Sequence, residues 1–274
     1  MFTIIYISFL LILGTLGWVG WYWHREAYSP SLQAIWLSWL EAFGLAFAIF
    51  LVTWYIPGII YGILGRWSSV IAQRSDTEWM FLMSGFGQMA SLGFFYFLGS
   101  RGFWLFPKTW ECRRSLGDIC AIALKAFLLL LPCIWVLNLV WTLFSIFLVD
   151  SFPSLSSILE DQLLIQHFHE ITSWPMRLIF FFCTLILAPI TEELLFRYGF
   201  YRFLKGKWSA RAACWATSVV FALMHVHWLS FVPLLGISLF LIHLYEREKH
   251  LMPCILVHML FNANTFVLLF LEKA

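Results

Sequence analysis

Long apolar runs recur along almost the whole chain, and they constrain its fold more than any other feature. Runs of about 17–25 apolar residues are long enough to cross the hydrocarbon core of a bilayer as helices. The 274 residues are 62% hydrophobic and 12% charged, whereas soluble domains carry about 25% charged residues. The sequence therefore predicts an all-α protein, a polytopic bundle of transmembrane helices in contact with the lipid bilayer.

The apolar runs divide into about eight predicted spans. They cover roughly residues 2–23, 33–63, 79–98, 116–149, 177–203, 212–228, 229–245 and 253–271. The first run lacks the basic start and the cleavage pattern of a signal peptide, so we interpret it as a membrane span. The second is expected to bend or break near Pro57-Gly58. In the acidic loop before the fifth span, residues 158–171 have the spacing of an interfacial helix.

Most Lys and Arg residues fall in the odd-numbered loops between these spans. Because basic loops face the cytoplasm, we expect those loops inside the cell and both termini outside, with the protein in the plasma membrane. The net charge of +2 is small and dispersed, so no nucleic-acid partner is expected. The cysteines form no C-x-x-C and predict neither a disulfide framework nor a cysteine zinc site. The six are Cys112, Cys120, Cys133, Cys183, Cys214 and Cys254.

A charged stretch interrupts the fifth span. Residues 188–197 read APITEELLFR, and each charge at the centre of a spanning helix costs roughly 2.5–3.5 kcal/mol. Glu193 and Arg197 are four apart and can pair on one helix face. Glu192 points about 100° away, so it is left less fully paired and can act as a base. Pro189 should kink this helix and free the carbonyl of Leu185. The structural alternative is a buried ion pair that ties helices together.

Two later spans carry polar side chains at a similar depth. Phe221 and His225 are four apart in the sixth span, and His258 and Asn262 are four apart in the eighth. Counted from the predicted cytoplasmic ends, Glu192, His225, His258 and Asn262 lie roughly 12–20 Å deep. Taken singly, each could be an interhelical hydrogen bond. Their agreement in depth predicts a single polar site. The other histidines are interpreted as structural, solvated or interfacial: His167, His169, His227 and His243.

These residues form three ordered motifs: Glu-Glu-x-x-x-Arg at 192–197, Phe-x-x-x-His at 221–225 and His-x-x-x-Asn at 258–262. Over residues 178–264 the chain resembles the CAAX protease and bacteriocin-processing family of intramembrane endopeptidases. Ala-Pro-Ile-Thr at 188–191 and Tyr-Glu-Arg at 245–247 also match that family. The chain departs from it at Phe240, four residues after Gly236, and at Glu248-Lys249, which bears on the packing of the seventh span and on the substrate.

The resemblance implies roles for the site residues. Glu192 and His225 would activate the attacking water, and His258 and Asn262 would stabilise the oxyanion. Glu193 and Arg197 would support the site. It also implies a peptide or protein substrate at the membrane. We accordingly divide one integral bundle into N-terminal helices and a loop over 1–176 and a catalytic core over 177–274.

Several alternatives stay open at the level of sequence. A zinc ion could be bound by Glu192 or Glu193 with His225 and His258, since three protein ligands plus water are typical of catalytic zinc. We favour a metal-free mechanism with no cofactor, because H-E-x-x-H is absent and an Asn is a poor zinc ligand. The chain could also be a non-proteolytic scaffold or immunity protein on the same fold, or a proton-coupled transporter. The substrate and the oligomeric state are left open.

Overall fold

The computed structural model describes residues 38–55, 76–100, 115–159 and 173–271, together with residues 35, 59, 63 and 171. Within these residues the regular structure is helical throughout and contains no strand, which confirms the predicted all-α class. The predicted first span, the expected break at Pro57-Gly58, His167 and His169 lie outside the described residues. Most of the predicted interfacial helix over 158–171 does so as well.

The described helices overlap the predicted spans, although the helix Ala210–Leu223 ends five residues before the predicted end of the sixth span at 228. They are α1 (Trp39–Phe50, continued by a π segment, Leu51–Tyr55), α2 (Asp76–Ser100), α3 (Leu116–Ser151), α4 (Trp174–Lys205), α5 (Ala210–Leu223), α6 (Trp228–Glu248) and α7 (Met252–Leu271). A 3₁₀ turn, Pro153–Leu159, follows α3.

Serine side chains define where three of these helices begin. Ser38 and Ser115 each accept a hydrogen bond from the third residue of the helix, and the acidic side chain at that position bonds back to the serine backbone. These reciprocal bonds form capping boxes, which satisfy backbone donors that a helix start leaves free. Ser209 caps α5 in the simpler way, through its hydroxyl alone.

Among the described residues, three helices are long and apolar enough to cross a membrane: α3, α4 and α6. Shorter apolar helices cover Trp39–Thr53, Ala210–Leu223 and Met252–Leu268. Helix α2 coincides with the predicted third span, but it is not in either group. These helices indicate an integral membrane protein. The total of eight spans and the orientation stay predictions.

Helix α6 lies at the centre of the described bundle, and its buried face includes Ile237, Leu241 and Leu244. It packs between α5 and α3. At Gly236 an added Cβ would lie 2.7 Å from a methyl carbon of Leu137 on α3, so this glycine permits close packing. The departure from the family pattern at Phe240 is accommodated, because Phe240 lies in the main hydrophobic core.

Candidate active site

Helix α4 carries the acidic stretch and changes its winding on both sides of it. Two π segments, Cys183–Leu187 and Glu193–Tyr201, flank a short α segment, Ala188–Glu192. π turns inside α-helices are rare and occur frequently at functional sites. Here the π segments widen α4 around Glu192, Glu193 and Arg197.

Pro189 explains the first π segment and connects it to α7. The backbone N–H of Ala188 bonds to the carbonyl of Cys183, five residues back. In that register Thr184 would accept from residue 189, which is a proline and has no N–H. Asn262 supplies the missing donor, since its Nδ2 lies 2.9 Å from the Thr184 carbonyl oxygen.

The expectation that Pro189 would free the carbonyl of Leu185 assumed α-helical bonding to the fourth preceding residue, and it stays a prediction. In the π register that Ala188 adopts, the carbonyl opposite Pro189 is that of Thr184. Thr184 is thus a site residue that the sequence analysis missed. The signal was Pro189 itself, but the change of register could not be read from the sequence. Asn262 is positioned by this bond and retains a second N–H on Nδ2.

Glu193 and Arg197 form the ion pair that their spacing predicted. Nη1 of Arg197 lies 2.9 Å from Oε1 of Glu193, and both side chains are completely buried. None of the three guanidinium nitrogens has an aligned hydrogen bond within the described residues, so the contact is an ion pair by distance rather than by hydrogen-bond geometry. The guanidinium also lies 4.4 Å from the ring centre of Phe221, which adds a cation–π contact.

His258 lies between the two carboxylates. Its Nδ1 is 2.8 Å from Oε1 of Glu193, and its Nε2 is 3.8 Å from Oε2 of Glu192. A carboxylate only accepts hydrogen bonds, so Nδ1 is the donor. The distance of 3.8 Å is too long for a direct hydrogen bond. Nε2 of His258 and the Glu192 carboxylate are therefore close but form no hydrogen bond with each other.

Glu192 is the less fully paired carboxylate, as its helical position predicted. Its Oε2 is buried and has no hydrogen-bond partner among the described residues, while the side chain as a whole is 29% exposed. Oε2 of Glu193 also has no hydrogen-bond partner there, but Glu193 is fully buried, and its Oε1 contacts both Arg197 and His258. The arrangement separates a supporting carboxylate from one that a water molecule or substrate can approach.

Phe221 joins the histidines and the arginine into one cluster. This buried ring lies 4.9 Å from the ring of His225, 6.1 Å from that of His258 and 5.1 Å from that of Phe196, measured between ring centres. The first residue of the Phe-x-x-x-His motif is thus the apolar centre around which the polar groups are arranged.

His225 does not lie on the sixth span as expected, because α5 ends at Leu223. The helix tightens at its end: the N–H groups of His225 and Val226 each bond to a carbonyl three residues back. Val226 then adopts a left-handed conformation with φ 48°. This conformation is rare for a β-branched residue. The 14 residues of α5 span about 21 Å, which is shorter than the hydrocarbon core of a typical bilayer.

His225 keeps the orientation that the motif spacing predicted, even though it lies in the turn. Its Nδ1 is 2.8 Å from the carbonyl oxygen of Phe221. Because a carbonyl only accepts, Nδ1 carries the proton and Nε2 of the neutral ring carries a lone pair. His227 caps the start of α6 by accepting from the N–H of Ser230, and its interpretation as an interface histidine stays a prediction.

The structure thus brings Glu192, Glu193, Arg197 and His258 into one polar cluster. His225 contacts the ring of Phe221 beside this cluster, and Asn262, four residues after His258 on α7, bonds to the Thr184 carbonyl on α4. The zinc set proposed as an alternative needs Glu192 or Glu193, His225 and His258 to converge on one point. Within the described ranges, no three His, Cys, Asp or Glu side chains are arranged to hold a metal ion. The side chains as placed do not fit that ligand set.

Comparison with protein families gives one match. Residues 173–264 match the family described as type II CAAX prenyl endopeptidase Rce1-like. The matched segment contains all three motifs and extends from the start of α4 into α7. The resemblance stated from the sequence is confirmed over that segment. Neither the curated proteins nor the solved structures give a match.

Proposed function

Because residues 173–264 form a domain of the Rce1-like CAAX prenyl endopeptidase family, we propose that the chain is an intramembrane endopeptidase. Its partner is a peptide or protein substrate at the membrane. The observation that carries the proposal is the state of Glu192, whose side chain is 29% exposed while its Oε2 has no hydrogen-bond partner in the described chain. This oxygen lies 3.8 Å from Nε2 of His258, beside Glu193, which contacts both Arg197 and His258.

In this mechanism Glu192 is the general base. It takes a proton from a water molecule, and the water oxygen attacks the scissile carbonyl carbon. Nε2 of His225 orients the same water, since its lone pair accepts the second water hydrogen. When the tetrahedral intermediate collapses, Glu192 returns its proton to the leaving amine. The products are one new carboxyl group and one new amine, and the base is regenerated.

The developing oxyanion needs hydrogen-bond donors, each of which contributes about 2.7–4 kcal/mol in known oxyanion holes. His258 acts as such a donor when its Nε2 carries a proton, with Nδ1–H held by Glu193. Asn262 contributes the N–H that its bond to Thr184 leaves free. Glu193 and Arg197 hold His258 in place and do not themselves touch the substrate.

The mechanism uses only side chains of this chain and requires no cofactor. We place the protein in the plasma membrane with its termini outside and the site open to the cytoplasm, which agrees with the basic residues near the end of α4. Arg202 and Lys205 form its last turn. Anchored peptides could then reach Glu192 from the cytoplasmic leaflet. Prenylated tails are one such class, and the family description names prenyl endopeptidases.

The test compares membranes that carry the wild-type chain, Glu192→Gln, or the matched control Asp150→Asn. Both substitutions replace a carboxylate by an amide, but Asp150 is exposed at the end of α3. New protein termini are identified by mass spectrometry. Termini that appear with wild type and with Asp150→Asn but disappear with Glu192→Gln support the proposal. Equal cleavage by Glu192→Gln, at equal amounts of folded protein, refutes it.

A further inference from the structure

Two tryptophans and a serine form a closed hydrogen-bond network between α3 and the start of α6. Nε1 of Trp228 donates to Oγ of Ser145 at 2.9 Å, and this hydroxyl donates to the carbonyl of Trp141 at 2.8 Å. Nε1 of Trp141 donates in turn to the carbonyl of Trp228 at 2.8 Å. The two indole rings lie 4.8 Å apart between centres. We call Trp141, Ser145 and Trp228 the tryptophan brace.

The brace fixes Trp228 through both its side chain and its backbone. Ser145 is completely buried, and its hydroxyl both accepts and donates, so removing any member leaves a polar group without its partner. Such networks define one arrangement when every member is satisfied. Trp228 is the first residue of α6, which makes the brace an anchor for the start of that helix.

Trp228 follows His225 by only three residues, and the chain is fixed on both sides of that short segment. On the first side, the backbone N–H of His225 bonds to Ala222, and its ring bonds to the carbonyl of Phe221. On the second side, the tryptophan brace holds the side chain and the backbone carbonyl of Trp228. Val226, between them, has φ 48°.

The strained backbone of Val226 reflects these two anchors. Its side chain is 91% exposed, so packing of the valine itself does not hold the left-handed conformation. A conformation disfavoured for a β-branched residue persists only where the surrounding structure imposes it. The positions of α5 and of Trp228 impose it here, and they thereby set where the ring of His225 lies.

We propose that Trp141, Ser145 and Trp228 are positioning residues for His225. The inference rests on the proposed function for the catalytic role of His225, but the geometry is independent of it. It assigns a task to α3, which lies outside the segment that matches the family, 173–264. The N-terminal part of the chain would then contribute to the site and not only to the bundle.

The experiment measures cleavage and the state of His225 in the full-length protein. Trp228→Phe keeps an aromatic ring and removes the Nε1 donor, whereas Ser145→Ala removes the hydroxyl to which it donates. Ser145→Thr retains a hydroxyl and serves as the rescue variant. Trp135→Phe is the control for the Trp-to-Phe substitution, because Trp135 is exposed and lies on α3, the helix that carries Ser145. The ¹⁵N chemical shifts of the His225 ring report its hydrogen bonding without any substrate.

We expect kcat to fall about tenfold to a hundredfold in Trp228→Phe and Ser145→Ala, since small displacements of a catalytic group cost this much. KM should change less than about twofold, and the His225 ¹⁵N shifts should move. The double variant should be little worse than either single one, because both remove the same bond. Ser145→Thr should recover most of the rate, and Trp135→Phe should behave as wild type.

Unchanged kcat and unchanged His225 shifts in Trp228→Phe would overturn the proposal. The proposal would also be overturned if Trp228→Phe and Ser145→Ala lower stability and kcat and change KM together, and Trp135→Phe produces the same changes. If Ser145→Ala does not fold, Trp228→Phe alone decides. If the wild-type chain cleaves nothing, the proposed function fails, and the His225 shifts still show whether the brace positions the ring.

Discussion

Loss of one partner from the buried Glu193–Arg197 pair should destabilise the protein strongly, and loss of both should destabilise it less. The two side chains are completely buried with a nitrogen–oxygen distance of 2.9 Å. In Arg197→Met the carboxylate of Glu193 keeps His258 as a donor but loses its counter-charge. In Glu193→Gln the guanidinium keeps the face of Phe221 but loses its counter-charge.

The magnitude follows from burial. Removing one partner of a buried ion pair costs about 3–5 kcal/mol, because an uncompensated charge remains in a medium of low polarity. That corresponds to about two to four orders of magnitude in the unfolding equilibrium. Replacing both partners removes both charges, and such replacements are often close to neutral. We therefore expect the double variant Glu193→Gln/Arg197→Met to be more stable than Arg197→Met.

Reversible unfolding in mixed detergent micelles measures these differences. The two single variants and the double variant form a double-mutant cycle, whose coupling free energy isolates the pair. Arg211→Met is the control for the chemistry of the substitution, because Arg211 is exposed at the start of α5. It should change the free energy of unfolding by less than about 0.5 kcal/mol.

A loss below about 1 kcal/mol in Arg197→Met would contradict the argument, since exposed ion pairs are worth about that much. A double variant as unstable as the sum of the single ones would also contradict it. That result would mean that the two charges do not interact in the folded state. Cleavage assays on the same variants separate stability from the effect of losing support for His258.

Three further predictions concern the site. Asn262→Ala should cost about 0.5–1.5 kcal/mol in unfolding free energy, because it removes the donor to the partly buried Thr184 carbonyl. Pro189→Ala restores a backbone N–H and should suppress much of that loss in thermal unfolding. Val226→Gly should be about 1 kcal/mol more stable than Val226→Ala, since only glycine enters the left-handed region freely; equal thermal midpoints would count against strain at this turn. Cleavage by purified protein should survive treatment with a zinc chelator, and loss of activity that zinc alone restores would contradict the metal-free mechanism.

Local sequence patterns were sufficient for much of the fold. The apolar run over 116–149 predicted α3 within a few residues of its observed bounds, Leu116–Ser151. The four-residue spacing of Glu193 and Arg197 predicted their contact, because neighbours on one helix face are decided by helical geometry alone. The same geometry left Glu192 as the less fully paired carboxylate. The predicted roles of the site residues in catalysis stay predictions.

Other features depend on contacts that no local pattern contains. The end of α5 at Leu223 was not predicted, because the apolar run continues through the turn and the left-handed Val226 is imposed from outside. The bond from Asn262 to the Thr184 carbonyl was not predicted, because a π register and an α register look alike in sequence. The tryptophan brace joins positions 83 and 87 residues apart, and nothing in either segment marks its partner.

The sequence by itself determined that this chain forms membrane helices and that one helix carries an ion pair, and it predicted that three motifs lie at a similar depth. Those properties follow from hydropathy and helical periodicity, which act over a few residues. The tertiary structure alone decided that His258 contacts Glu193 from 65 residues away and that Asn262 bonds to Thr184 from 78 residues away. The physical reason is that such contacts depend on how whole helices pack and on the register of α4, both of which are settled only when the bundle is assembled.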